Sequence, residues 1–428
     1  MPKAETQLPM RPVYEQGSGG AISIGDRAGW IDPFVTLRKL VEAGRRVAMG
    51  RTLLQERVEV LAREAGFAAA GIAAVPAPGS PEDEAERARF AEWVDAGHAG
   101  EMEYLKRRDE AGELLRSSVR VALPWARSVI VGAANYASAE PRSIDPAPQG
   151  TGWIARYAWS SRGGRPSDYH KVLLRRLERL RDRLAEETGA FESRCFVDTG
   201  PVVERVYARY AGVGWVGKNT CILNQRLGSW LFLGVVVTSL EVGEQQVPRL
   251  SGSRFARDDK SLLAADRCGS CTRCIEACPT GALTGPRQMD ASRCISYLTI
   301  EKRGEIPEEL RADIGRQVFG CDICQDVCPW NRRAPIATDA ELEPRRELVN
   351  PALEWLAAMD ESEFERRFNG SPVRRAKFAG FRRNVAIAMG NSGQARYLAI
   401  LERWAEDDDA VVAEAARWAA QRLRPEKG

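Results

Sequence analysis

The sequence predicts an α+β protein in three parts: a large N-terminal domain of alternating strands and helices, a short cysteine-rich domain and a helical tail. Three features predict it. Apolar, strand-like runs alternate with amphipathic runs from about residue 52 to about 262, the mark of an α/β or α+β domain. Eight of the ten cysteines fall between Cys268 and Cys328. From about residue 336 the pattern is helical. The expected parts are an N-terminal extension over 1–50, an α/β domain over 51–262, the cysteine-rich domain over 263–335 and the tail over 336–428.

Composition narrows the class. A chain of 428 residues exceeds one ordinary core, and 28% charged with 44% hydrophobic residues is normal for a globular protein. The net charge of +3 gives no global pull on an acidic partner, so such a partner must meet a local patch. No apolar run reaches the roughly 18 residues of a membrane span. The opening stretch carries neither an apolar signal core nor a twin arginine, so a cytoplasmic location is expected.

Each element follows from its pattern. TLLQERVEVLAREA (52–65) is an amphipathic helix with Leu54, Val58 and Leu61 on one stripe, and GFAAAGIAAV leads into a strand. SVIVGAANY (128–136) and FLGVVVTSL (232–240) are buried-strand patterns. SDYHKVLLRRLERLRDRLAEETG (167–189) is a long helix, capped by Ser167 or Asp168, with a seam of Leu173, Leu177, Leu180 and Leu184. Its arginine-rich face reads as solvated surface. The tail sequence RNVAIAMGNSGQARYLAILERWAEDDDAVVAEAARWAAQRL gives two helices, an acidic turn and another helix, the look of a HEAT-like segment.

The cysteines form two bursts. The first, Cys268-x2-Cys271-x2-Cys274-x3-Cys278-Pro279, is the bacterial ferredoxin run for [4Fe-4S] clusters. Three thiolates on a tight loop converge on one cubane, while the fourth opens a helix and reaches another. The second, Cys321-x2-Cys324-x3-Cys328-Pro329, lacks one cysteine, and Cys294 is the spare nearby. Exchanging the Cys-Pro residues gives Cys268, Cys271, Cys274 and Cys328 for cluster one. Cys278, Cys294, Cys321 and Cys324 remain for cluster two. A disulfide framework fits poorly in a large chain with no export signal. Structural zinc is the other reading of paired CxxC motifs, but zinc does not ask for the third cysteine or the Cys-Pro ending. Two cubanes side by side make an electron wire, and a wire needs a terminus.

Three further stretches bear on that terminus. FVDTGPVVERVYARYAG puts Asp198 at a turn between a short strand and a helix, where most aspartates are helix caps. In AGVGWVGKNTCIL, Gly212-x4-Gly217-Lys218 approaches a phosphate-binding loop. Asn219 stands where the magnesium-binding hydroxyl belongs, so ATP hydrolysis is excluded, and the glycines suggest backbone close to a large flat ligand. Only His98 and His170 exist, and neither Asp-x-His-x-x-Gly nor Cys-x-x-Cys-His occurs, so a large redox cofactor would lack a dedicated axial imidazole. In the tail, SPVRRAKFAGFRRN carries Arg374, Arg375, Lys377, Arg382 and Arg383 interleaved with Phe378 and Phe381. That spacing suits a nucleic-acid backbone with an unstacked base; ordinary helix surface is the alternative.

Taken in order, these motifs resemble the epoxyqueuosine reductase family over roughly residues 52 to 425. GHAGEMEYL, IARYAW, SDYH, VDTGPVVERVYA, GVGWVGKNT, GSWLFLG, both cysteine bursts with ISYLTIEKRGEIPEELR between them, and GSPVRRAKFAGFRRNVAIAMGN carry the resemblance. It implies an enzyme with base-off cobalamin and two [4Fe-4S] clusters, acting on epoxyqueuosine at the wobble position of a tRNA anticodon stem-loop. The implied reaction removes the epoxide oxygen as water, with two electrons and two protons. Asp198 matches the family's proton-donating acid, and an acid beside an apolar corrin would be held protonated. The resemblance assigns Arg116, Arg156, Tyr157, Lys218, Asn219, Ile222, Ser229 and Trp230 to the corrin surroundings. It also implies an external low-potential electron donor, a monomer and no membrane. The chain departs from the family between Trp159 and Asp168, where SSRGGRPS intervenes.

Two alternatives stand beside it. A cobalamin-dependent reductive dehalogenase shares the wire but leaves the basic tail without purpose. A non-catalytic electron-transfer iron–sulfur protein leaves Asp198 and the large first domain unexplained.

Overall fold

The computed structural model describes residues 52–53, 55–243 and 267–424. The expected extension over 1–50 and the boundary at 262/263 lie outside the described residues.

The N-terminal domain is built on a four-stranded sheet of β1 (Ala69–Ala74), β2 (Ser128–Asn135), β3 (Ser193–Phe196) and β4 (Leu231–Thr238). The order is β1-β2-β4-β3, and every neighbouring pair is antiparallel. The α/β expectation for this domain is therefore corrected to α+β. The reason is physical: β2 and β4 are buried on both faces, and an unbroken apolar run fits an interior strand of either direction.

Alternation along the strands splits the core. On one face Ile72, Ile130, Phe232 and Val236 meet Val58 and Leu61 of α1 (Gln55–Glu64) and the leucine seam of α2 (Tyr169–Thr188). On the other, Val129, Val131, Val235 and Val237 meet Tyr207 and Ala208 of α3 (Glu204–Tyr210). Helix α2 starts where the Asp168 carboxylate accepts the His170 amide and stops at Gly189, whose φ of 81° suits glycine. Its four seam leucines are fully buried, each worth about 2 kcal/mol of transfer free energy. Arg176, which flanks the seam, is not the solvated residue expected. It is buried and pairs with Asp339 at 2.6 Å and Glu341 at 3.0 Å, which pins the segment leading to the tail. Gly71 lets α3 approach: a Cβ there would stand 2.0 Å from the Ala211 carbonyl oxygen.

The cysteine loops carry two short helices, Arg273–Glu276 and Ile323–Asp326. The tail is helical, with Lys377–Asn391, Leu398–Trp404 and Ala410–Leu423 following in turn. Its core is shared: Ile295, Leu298 and Phe319 from between the cysteine bursts pack with Phe364, Phe381, Val385, Leu401 and Val412. One hydrophobic cluster thus crosses the 335/336 boundary. The intervening SSRGGRPS forms a hairpin, Ser160–Arg162 with Arg165–Pro166, turned at Gly163 and Gly164 with φ of 56° and 74°.

Candidate active site

The turn after β3 holds Asp198 in the left-handed region, at φ 57°, a conformation aspartate tolerates better than most residues. It is not a helix cap, because Val203 occupies that position for α3. Its carboxylate faces the first turn of α2 instead. The Tyr169 hydroxyl donates to Asp198 Oδ2, and His170 Nε2 lies 3.6 Å from the same oxygen. His170 Nδ1 stands 2.8 Å from Asp168 Oδ1, the cap of that helix. The Tyr169 ring lies flat on Phe232, centroids 4.1 Å apart, and Phe232 stacks on Tyr136 at 4.2 Å. Burial, then the Asp198 charge, raises the Tyr169 phenol well above its ordinary range, so it remains a donor. Asp198 itself is nearly half exposed, at 46%.

The opposite rim is basic and aromatic. Tyr104 carries Arg116 over its ring at 5.4 Å and Arg375 at 5.5 Å, and Arg375 Nε pairs with Glu301 at 2.5 Å. Among the described residues Arg116 meets no hydrogen-bonding or ion-pair partner; its half-buried guanidinium rests only on that ring. Tyr157 stands edge-on to Tyr169, and burial raises its phenol well above the ordinary range. A cavity of about 360 Å³ opens alongside, lined by Asp168, Lys171, Ser371, Arg374, Arg375 and Lys377.

Several residues assigned to ligands by sequence are committed elsewhere. Arg156 is 4% exposed; its guanidinium donates to the Ser138 and Pro141 carbonyls and lies over Trp159 and Trp230. Lys218 donates to the Gly269 carbonyl at 2.7 Å, and Asn219 to that of Cys324 at 3.3 Å. Ser229 bonds Gln325 and Asn331, and Trp230 is buried beneath Arg156. Ile222 is core in a short hairpin, Trp215–Val216 with Ile222–Leu223. That hairpin also accounts for the glycines read as facing a flat ligand, since a Cβ on Gly214 would lie 2.3 Å from the Leu223 carbonyl oxygen. In the tail, Arg374, Arg375 and Lys377 are exposed at the cavity, but Arg382 pairs with Asp407 at 2.7 Å and packs on Trp404. Arg383 is 1% exposed and donates to the carbonyls of Leu298, Lys302 and Gly304. Its assignment to an RNA surface is corrected: this helix is enclosed on nearly every side from Gly380 on, and those carbonyls take up the Arg383 guanidinium.

The cysteines gather in two sets. Burial raises Cys274 and Cys328, the latter to about 11, and the charge of Cys268 acts on both. Cys271 acts on Cys274, and Cys274 on Cys328. In the second set burial raises Cys294 and Cys321; Cys278 acts on both, and Cys294 and Cys321 act on Cys324. Cys221, solitary in sequence, shares a thiol hydrogen bond with Cys324. Among the described residues no three His, Cys, Asp or Glu side chains are arranged to hold a single metal ion. Thiols grouped in two sets in this way suit the chemistry of cubanes. Trp215 adds a second sign of fit: it packs with Cys328, Cys268 and Trp330, and its buried indole Nε1 has no acceptor among the described residues. Sequence reasoning missed Tyr104, Tyr169, His170 and Trp215 as parts of these sites; each lies inside a quoted motif but was read for helix, strand or glycine signals.

Comparisons with known proteins agree with this arrangement. A family described as "4Fe-4S double cluster binding domain" matches residues 267–331, and one described as "Epoxyqueuosine reductase QueG, DUF1730" matches residues 116–199. The epoxyqueuosine reductase of Xanthomonas campestris is 38% identical over 85% of this chain and 94% of its own length. That of Synechocystis is 41% identical over 72% of this chain and 97% of its own. A crystal structure of epoxyqueuosine reductase with a tRNA-Tyr epoxyqueuosine-modified stem loop superposes with a TM-score of 0.70, at 29% identity, covering 86% of this chain and 89% of that one. The chain belongs to the epoxyqueuosine reductases, a family of oxidoreductases.

Proposed function

We propose that this enzyme reduces epoxyqueuosine to queuosine at the wobble position of tRNA. The observation that carries it is the juxtaposition around Asp198: a half-exposed acid held by Tyr169 and His170, beside a cavity lined by Arg374, Arg375 and Lys377. Those three cations suit the anticodon-loop backbone, and the exposed acid suits a base-bearing group swung out of the loop. Among the described residues no helix is long and apolar enough to cross a membrane.

Asp198 donates a proton to the epoxide oxygen as it leaves; an alkoxide leaves badly without one. Tyr169 and His170 fix the carboxyl by holding one oxygen. The thiols of Cys268, Cys271, Cys274 and Cys328 would hold one [4Fe-4S] cluster and those of Cys278, Cys294, Cys321 and Cys324 the other, carrying electrons from an external low-potential donor.

The residues around the opening suit cobalamin. Arg116 is a half-buried cation without a described partner, facing the same opening as Tyr104 and Asp198, and the amide-rimmed corrin offers carbonyl acceptors. Arg116, Tyr104 and Tyr157 would hold it, with Lys218, Asn219, Ile222, Ser229, Trp230 and Arg156 behind them as support. His170 is taken up by Asp168 and Asp198, which suits a base-off form with no protein imidazole. Bound there, cobalamin would supply low-potential two-electron chemistry at the epoxide carbon.

The test is an anaerobic assay of the iron-loaded protein on an epoxyqueuosine-containing stem-loop, with cobalamin present and omitted. Queuosine is expected only with cobalamin. Equal product without it, or no product with both cofactors and a strong reductant, refutes the proposal.

A further inference from the structure

Reducing an epoxide to an alkene consumes two electrons and two protons. Both C–O bonds of the ring break, the C=C bond forms, and the oxygen leaves as water. An external donor supplies the electrons through the clusters. Asp198 carries one transferable proton, so a full turnover draws a second, from solvent or from another group at the same turn.

Glu204 has that place. It follows Asp198 by six residues and opens α3. The residue is half-buried, yet its Oε1 is closed off from solvent and has no hydrogen-bond partner among the described residues. An ionised carboxylate with such an oxygen is costly, whereas a neutral carboxyl is not. The titratable and charged groups acting on it are Asp198, Arg116 and Arg205. Burial and then the Asp198 charge push its carboxyl up to about 7, while its own amide, Arg116 and Arg205 pull the other way. Val203, at the N-cap position of α3, makes no side-chain cap bond, and the buried residues of this helix are Tyr207 and Ala208.

We propose that Glu204 is the second proton store of this site, handing its proton to Asp198 after the first transfer so that the epoxide oxygen can leave as water. The proposal rests on the epoxide-reducing function argued above. Glu204 acts through Asp198, so it is a positioning and relay residue rather than a group that touches substrate.

The test uses the holoenzyme and its Glu204→Gln and Glu204→Asp variants on the epoxyqueuosine stem-loop. The Gln variant should keep both cluster absorbances, cobalamin binding and the KM for RNA, while kcat falls about 10²-fold. In the wild type kcat should fall as pH rises through about 7, and this limb should vanish in the Gln variant. The Asp variant, which can still hold a proton, should recover part of the rate. Wild-type kcat in the Gln variant overturns the proposal. So does a persisting limb near neutral pH, or a loss confined to cobalamin affinity. Wild-type inactivity on this RNA overturns the underlying function, and the relay with it.

Discussion

Arg383→Met separates a structural cation from an RNA contact. The guanidinium donates to Leu298 O at 2.7 Å, Lys302 O at 2.9 Å and Gly304 O at 2.7 Å, and its Nε bonds Asn384 Oδ1 at 3.0 Å. Methionine fills similar space but donates nothing. One buried carbonyl and two part-buried ones lose their donor, at roughly 1–2 kcal/mol each. Relief from burying a charge offsets part of this. The net destabilisation is about 3 kcal/mol, roughly a hundredfold in the unfolding equilibrium. Urea titration followed by tryptophan fluorescence should register it, since Trp404 and Trp418 belong to the same core. RNA affinity of the folded fraction, and its salt dependence, should equal those of the wild type. A variant of unchanged stability whose salt slope drops by about 0.7 would return Arg383 to the RNA surface and refute the geometry.

The remaining expectations are shorter. Asp198→Asn keeps the Tyr169 contact through its amide oxygen but cannot donate a carboxyl proton; turnover should fall by about 10²–10⁴ with cluster and cobalamin absorbance intact. Full activity would remove Asp198 from the chemistry. Replacing Arg374, Arg375 and Lys377 with alanine should weaken stem-loop binding and lower the salt slope by about 2 in total; an unchanged slope would make them plain surface. Glu204 also predicts a pH effect on stability. Its folded pKa is raised from 4.5 to about 7, so the folded state holds the proton more tightly than the unfolded one. The contribution of Glu204 to stability is fully present below pH 4.5, declines as pH rises, and is lost, by about 3 kcal/mol, above pH 7. Denaturation of wild type against Glu204→Gln across that window should show the difference, and parallel curves would argue against a neutral Glu204.

What the sequence disclosed depended on whether the signal was local. Leu173, Leu177, Leu180 and Leu184 announce a helix face by spacing alone, and the cysteine runs announce two cubanes because their ligands are nearly contiguous. Strand direction was not legible: β2 and β4 are apolar on both faces, so nothing in their pattern separates a parallel from an antiparallel sheet. The basic run in the tail misled for a related reason. Arg374 and Arg383 are equally charged on paper, but Arg374 stands exposed in a short 3-10 turn, Pro372–Ala376, whereas Arg383 lies in the following helix where it is enclosed on nearly every side. Asp198 was legible as unusual, whereas Tyr169 and His170 became its partners only when α2 came to lie against the end of β3.

The glycine-rich stretch from 212 to 230 shows the limit most clearly. Glycine signals that something approaches the backbone closely; it does not say what. Gly214 and Gly217 accommodate Leu223 across their own hairpin, and Gly228, at φ 70°, would place a Cβ 2.3 Å from Asn331 Oδ1. That asparagine takes the Ser229 amide and gives to the Ser229 hydroxyl, while Lys218 and Asn219 reach Gly269 and Cys324, and Trp215 meets Trp330 at 4.9 Å. Every one of these contacts runs from the sheet domain to a cysteine loop. The stretch is therefore a seam that holds the thiol sets against the sheet carrying Asp198. Each polar bond in it contributes only about 1 kcal/mol, yet together they fix the separation between the thiol sets and Asp198.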